Sequence, residues 1–186
     1  MNINKTKERI LTEAEALIQT KGYNAFSFKD IATVINIKTA SIHYHFPSKE
    51  DLGVAVIAWH ADKIARVLSE INSDVSLSIR EKVQTFFDAV LSLTFHTENK
   101  MCLGGMFASD LQSLPTAIQN QVQKFFSMIL DWLEELLVEH GFSKVEALSI
   151  AKKIIALIEG ALLLARLYGD LTFLEEVRGY IDQTIQ

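Results

Sequence analysis

Apolar residues return every three or four positions along most of this chain, which is the spacing of amphipathic helices. No stretch shows the strict alternation of a half-buried strand. Ile10, Leu11, Ala14, Leu17 and Ile18 make one apolar face of a first helix over 4–21, ended by Gly22. Short helices follow over Phe28–Ile35 and Thr39–His45, with a tight turn between them. A fourth runs from Lys49 to Ile71, a polar break covers Asn72–Ser76, and a fifth spans Leu77–Glu98. A loop near Asn99–Cys102 leads to a short helix, Leu103–Leu114, and Pro115 suits the first turn of a seventh that runs to His140 and stops at Gly141. Ser143 with Glu146, and Thr172 with Glu175, have capping-box spacing for an eighth helix ending near Gly169 and a ninth over Phe173–Thr184. The expectation is an all-α protein of about nine helices.

Within this pattern the segment Phe28–Leu52 is the most specific. Ser27 and Asp30 can cap the second helix from both sides. Ile31, Ala32 and Ile35 share a face, Asn36 suits a left-handed turn residue, and Ile37 is the apolar plug of that turn. Pro47 ends the third helix at Phe46, and Ser48 with Asp51 caps the next. Two short helices joined by such a turn form a helix-turn-helix, whose second helix can enter a DNA major groove. Thr39, Ser41, His43 and Tyr44 carry hydrogen-bonding groups for bases or phosphates, and Ile42 suits the core beside Ile31 and Ile35. With Ser27, and with Lys29, Lys38 and Lys49 as phosphate contacts, they make the candidate DNA interface. From the pattern alone, an ordinary helical hairpin fits as well.

The ordered set Arg9-Ile10-Leu11, Ala14, Leu17-Ile18, Lys21-Gly22-Tyr23, Phe28, Asp30-Ile31-Ala32, His45-Phe46 and Ser48-Lys49-Glu50-Asp51-Leu52 resembles the TetR family of bacterial one-component regulators. The likeness covers residues 4–64. Three positions depart from the family's habit: Asn36 for Gly, Lys38 for Ser or Thr, and His43 for Tyr. They bear on which operator is read. The resemblance implies a DNA-binding domain over 4–64, with its motif at 27–46, and a ligand-binding and dimerisation domain over 65–186. It implies a cytoplasmic homodimer on near-palindromic double-stranded operator DNA, joined through the last two helices. Most often such a protein is a repressor released by a small molecule; activation is the nearer alternative, and an all-α enzyme or carrier the remote one. The implied effector pocket lies among the fourth to eighth helices. Phe86, His96, Met106, Phe107, Phe125, Met128, Trp132 and Glu159 are its candidates, although aromatic and Met residues at helical spacing are more often plain core. Gly104-Gly105 interrupts an apolar stretch, which lowers helix stability and points to packing or function. Glu159 can anchor a ligand or pair with Arg166.

Composition refines the picture at three points. The net charge of −5 is unevenly spread: residues 1–50 hold seven Lys or Arg and five Asp or Glu, an excess of +2, and the rest carries −7. DNA binding needs local positive charge, so this asymmetry fits. The single Cys102 excludes an internal disulfide and reads as a buried thiol. The apolar run Ile154–Leu167 is interrupted by Glu159 and Arg166, which makes it a buried helix rather than a membrane span. There is no secretory pattern at the start, no HExxH, no Walker-type loop and no GxSxG, and the five histidines are scattered. Neither a cofactor, a metal nor a catalytic residue is expected.

Overall fold

The computed structural model describes residues 3–94 and 100–185. Among these, all regular structure is helical: α1 (Ile3–Lys21), α2 (Phe28–Val34), α3 (Thr39–His45), α4 (Lys49–Ser73), α5 (Ile79–Leu93), α6 (Leu103–Ser109), α7 (Thr116–Glu139), α8 (Lys144–Tyr168) and α9 (Thr172–Thr184). Short 3₁₀ turns occupy Tyr23–Ala25 and Leu111–Ser113.

The chain forms two compact units. One contains the residues up to Asp62 together with Leu103–Phe125; the other contains Lys63–Cys102 and Phe126 onward. A linear reading divides the chain once. Packing divides it again, because α6 returns to lie on α1. The core of the first unit includes Ile10, Ala14, Ile18, Ile31, Ile42, Leu52, Phe107 and Ile118. A buried polar tie links α1 to α4: His60 Nδ1 is 2.6 Å from Glu15 Oε1, and the His60 ring lies 5.5 Å from that of Phe125. In the second unit α9 packs on α8 and α5. Arg80 and Gln84 of α5 donate to Asp182 of α9, at 2.7 and 2.5 Å.

Helix ends follow the capping chemistry, with some shifts. Ser143 and Glu146 form the expected box, and Gly169 ends α8 at φ 65, a left-handed conformation that suits a residue without Cβ. The fifth helix begins later than its hydrophobic pattern suggests. Ser78 caps it, with Glu81 closing the box, so Leu77 lies in the turn. The sixth is shorter: the chain leaves α-geometry after Ser109 and continues as the Leu111–Ser113 turn. Pro115 precedes α7 rather than joining it, and its carbonyl accepts from Ile118 and Gln119. The box expected from Thr172 and Glu175 does not form. Thr172 is already helical, and Asp170 Oδ1 accepts its N–H at 2.9 Å. The shorter Asp side chain, two residues upstream, reaches the first free amide directly.

Candidate nucleic-acid interface

The local order around α2 and α3 comes from a few short-range bonds. Ser27 N–H and Oγ both reach Asp30 Oδ2, at 2.7 and 2.6 Å, which starts α2 in register. The Ser27 bonds hold the Asp30 carboxyl below the usual carboxylate range. Asn36 sits at φ 53 and makes the turn. Asn accepts this left-handed conformation better than most non-glycine residues. Ile37 N–H returns to Ala32 O at 3.0 Å, closing the turn around a half-buried Ile37. Lys38 precedes α3 in extended conformation without a side-chain cap. Phe46, 3% exposed, ends it in the core.

Only Ile42 of α3 is buried, so the helix is held by one apolar anchor plus the partly covered Thr39, Ser41 and His45. Tyr44 is 74% exposed and His43 is exposed. The His43 ring lies edge-on to Phe28 at 4.8 Å, with Nδ1 3.3 Å from the Pro47 carbonyl oxygen. A carbonyl only accepts, so this contact uses a proton on Nδ1 and leaves Nε2 for another partner. Ser27, Lys29 and Lys38 are exposed as well. These residues all stand on two consecutive short helices and their caps.

Lys49 differs. Its ammonium donates to Phe26 O at 2.5 Å and lies 4.4 and 4.8 Å from the ring centroids of Phe26 and Tyr23. Burial lowers its pKa, against the attraction of Asp30. Two further cations, both exposed overall, reach neighbouring helices with their tips, and the spacing pattern carries no signal for either. Arg9 Nη2 donates to Ile35 O at 2.5 Å, at the end of α2, and Lys7 Nζ lies 5.8 Å from the centroid of the Phe46 ring.

The expected effector residues fall in both units. Met106, Phe107 and Phe125 belong to the first, where Phe107 meets Tyr23 with centroids 5.8 Å apart. Phe86, Met128, Trp132 and Glu159 belong to the second. There Phe86 and Trp132 lie 5.3 Å apart, and Trp132 Nε1 donates to Asn72 at 2.9 Å. Burial pushes the Glu159 carboxyl up, opposed by a hydrogen bond with Cys102. His96 lies outside the described residues.

A helix-turn-helix with an outward polar α3, joined to a larger helical body, defines a DNA-binding regulator. The sequence profile of bacterial regulatory proteins of the tetR family matches residues 10–56. That of the LmrA/YxaF-like transcriptional regulator C-terminal domain matches residues 79–179. A crystal structure of a TetR transcriptional regulator from Legionella pneumophila is 70% identical, with a TM-score of 0.97 and 100% of both chains covered. An HTH-type transcriptional regulator encoded in the lacX 3′ region of Lactococcus lactis subsp. lactis is 29% identical, covering 94% of this chain and 90% of its own. The IcaR negative regulator of the icaADBC biofilm operon in Staphylococcus aureus is 23% identical, covering 74% of this chain and 86% of its own. The chain belongs to the TetR family of bacterial transcriptional regulators. Its members are DNA-binding regulators rather than enzymes, and they form dimers. Among the described residues, no helix is long and apolar enough to cross a membrane.

Proposed function

We propose that this protein is a cytoplasmic repressor that grips a near-palindromic operator as a homodimer and lets go when a small, mostly apolar effector binds. The observation that carries the DNA-reading half is α3, which buries Ile42 alone and leaves Tyr44 and His43 exposed. Thr39, Ser41 and Tyr44 supply base-edge contacts, and Lys29 and Lys38 supply phosphate contacts. Repression follows the IcaR relative, which is a negative regulator. Activation remains the second reading, since promoter geometry decides between the two.

Dimerisation is assigned to α8 and α9. Leu163, Leu167 and Tyr168 near the end of α8 are 57%, 69% and 67% exposed, and Leu171 and Tyr180 add to them. Large apolar side chains on neighbouring turns of one helix are a costly surface for a monomer and an ordinary one for an interface. The effector reading leans on the Phe86–Trp132 pair and on Glu159, a half-buried acid whose carboxyl is pushed up by its surroundings. α4 is one unbroken helix from Lys49 to Ser73, so a tilt at its far end reaches the reader. A ~100-fold loss of DNA affinity requires about 2.7 kcal/mol of coupling between effector and operator.

The test has three readouts. Sedimentation equilibrium should give a dimer, and Leu167→Glu a folded monomer. Duplexes selected from a randomised pool should carry two half-sites about one helical turn apart. A reporter driven by such a duplex should fall when the protein is expressed. A wild-type monomer that selects no sequence would refute the proposal, and a rising reporter would convert repressor to activator.

A further inference from the structure

We propose that the buried Glu15–His60 pair sets the half-site spacing of the operator, by fixing the direction in which α4 leaves the reader. This rests on the dimeric DNA reading proposed above. His60 Nδ1 lies 2.6 Å from Glu15 Oε1, and the two residues are 4% and 8% exposed. Polar and charged side chains this buried cost free energy unless they are paired. Even paired, they are often no more stabilising than apolar side chains of similar volume. Stability alone therefore does not account for them. A hydrogen bond supplies direction, which apolar packing does not. Ile10, Ala14 and Ile18 of α1 and Leu52, Val56 and Ile57 of α4 are all fully buried. Apolar cores of the right volume lose uniqueness before they lose stability. A short polar bond selects one arrangement, because a slip of about an ångström breaks it.

The place of the pair gives that arrangement its consequence. α4 starts at Lys49, shortly after the recognition helix, and runs unbroken to Ser73. It passes out of the first unit after Asp62, and α7 does so after Phe125. His60 stands just before the first of these crossings, and its ring lies 5.5 Å from that of Phe125 at the second. Glu15 belongs to α1, which packs on α2 of the reader. The pair thus ties the support of the reader to α4 at the point where α4 leaves it. In a dimer joined through α8 and α9, the direction of α4 at that point fixes how far apart the two recognition helices stand. Lys49 to His60 is about 16 Å of helix, so a slip of ~1 Å at His60 tilts α4 by about 4°.

Glu15→Leu with His60→Leu replaces the bond by apolar side chains of similar volume. The duplexes should carry two copies of the half-site selected by the wild-type protein, with the spacer varied one base pair at a time, and a duplex with a single half-site is the reference. The wild-type protein should prefer one spacing. In the double variant its preference over neighbouring spacings should fall about tenfold, which one hydrogen bond per protomer can supply. Affinity for the single half-site and Tm should stay at wild-type values, because the reading side chains are untouched and the core stays filled. Glu15→Gln keeps a carbonyl acceptor in the same place and should keep the wild-type preference. An unchanged spacing preference in the double variant overturns the proposal. So does an equal loss on the single half-site, which would make the pair a support of the reader itself. Glu15→Asp decides the matter if the double variant does not fold. It draws the acceptor back by one methylene and should flatten the spacing preference; a wild-type profile there refutes the assignment. A wild-type protein indifferent to spacing would refute the dimeric reading, a different outcome from either result for the pair.

Discussion

Gly53 lies inside α4, where glycine is about 1 kcal/mol worse than alanine. Its replacement should nevertheless destabilise the protein. A Cβ built there would lie 2.5 Å from Ile118 Cδ1 and 2.9 Å from Tyr23 Cε2. Both distances are far inside van der Waals contact. Ile118 is fully buried, so its methyl has little room to retreat. The Tyr23 ring is held by Phe107 and by the Lys49 ammonium. Overpacking of this kind costs ~1–3 kcal/mol. Subtracting the ~1 kcal/mol gained from helix propensity leaves a net loss of up to about 2 kcal/mol for Gly53→Ala. At this chain length that corresponds to a Tm lower by up to roughly 8 °C. Gly179 of α9 is the control, because a Cβ there meets nothing within 4 Å. Gly179→Ala should raise stability by about 0.5–1 kcal/mol. Urea denaturation of both variants, followed by helical circular dichroism, gives the two numbers. If Gly53→Ala instead gains as much stability as Gly179→Ala, the close approach of α4 to Tyr23 and Ile118 is wrong.

Three further outcomes are expected. Ser143→Ala removes the hydroxyl half of a capping box, leaves the Ser143 N–H on Glu146, and should cost about 1 kcal/mol in the same denaturation assay. Glu159→Gln tests the buried acid. A carboxyl whose pKa is raised by folding favours the native state below its unfolded pKa, and that contribution is lost as pH rises through the folded one. The stability of Glu159→Gln relative to wild type should therefore grow from acid to neutral pH, and a constant difference would refute the burial argument. His43 holds Nδ1 near the Pro47 carbonyl oxygen, which leaves Nε2 free to meet DNA. His43→Ala should weaken operator binding by roughly tenfold, the order of one lost contact. Unchanged affinity would remove His43 from the interface.

Elements whose ends are set by local chemistry were readable from sequence. Ser27 with Asp30, Asn36 and Pro47 fix α2, the turn and α3 within a few residues of chain, and the boundaries of α3 agree to the residue. The start of α5 was misread because Leu77 extends the apolar pattern past the true cap at Ser78. The stop of α6 at Ser109 and the missing Thr172 box depend on which of several nearby polar side chains reaches a free amide. The return of 103–125 to the first unit is a matter of packing between distant segments, for which periodicity has no signal. The same limit applies to Lys49, Arg9 and Lys7. A basic residue near a helix-turn-helix reads as a phosphate ligand, and only coordinates show that its charge faces a carbonyl or a ring.

That limit changes the meaning of the charge count. Residues 1–50 contain seven basic side chains, yet Arg9 and Lys49 each donate to a backbone carbonyl and Lys7 lies near the Phe46 ring. Lys29 and Lys38 are the exposed pair on the helix-turn-helix itself. If these two are the main phosphate contacts, a dimer releases counterions from about four sites, and log K should fall with log salt at a slope near −4. Such a reader draws a modest share of its affinity from charge, so its discrimination depends on how accurately Thr39, Ser41 and Tyr44 meet the bases. Accuracy of that kind requires a rigid frame. Arg9 on the Ile35 carbonyl and Lys49 on the Phe26 carbonyl supply two of its ties, one at each end of α2.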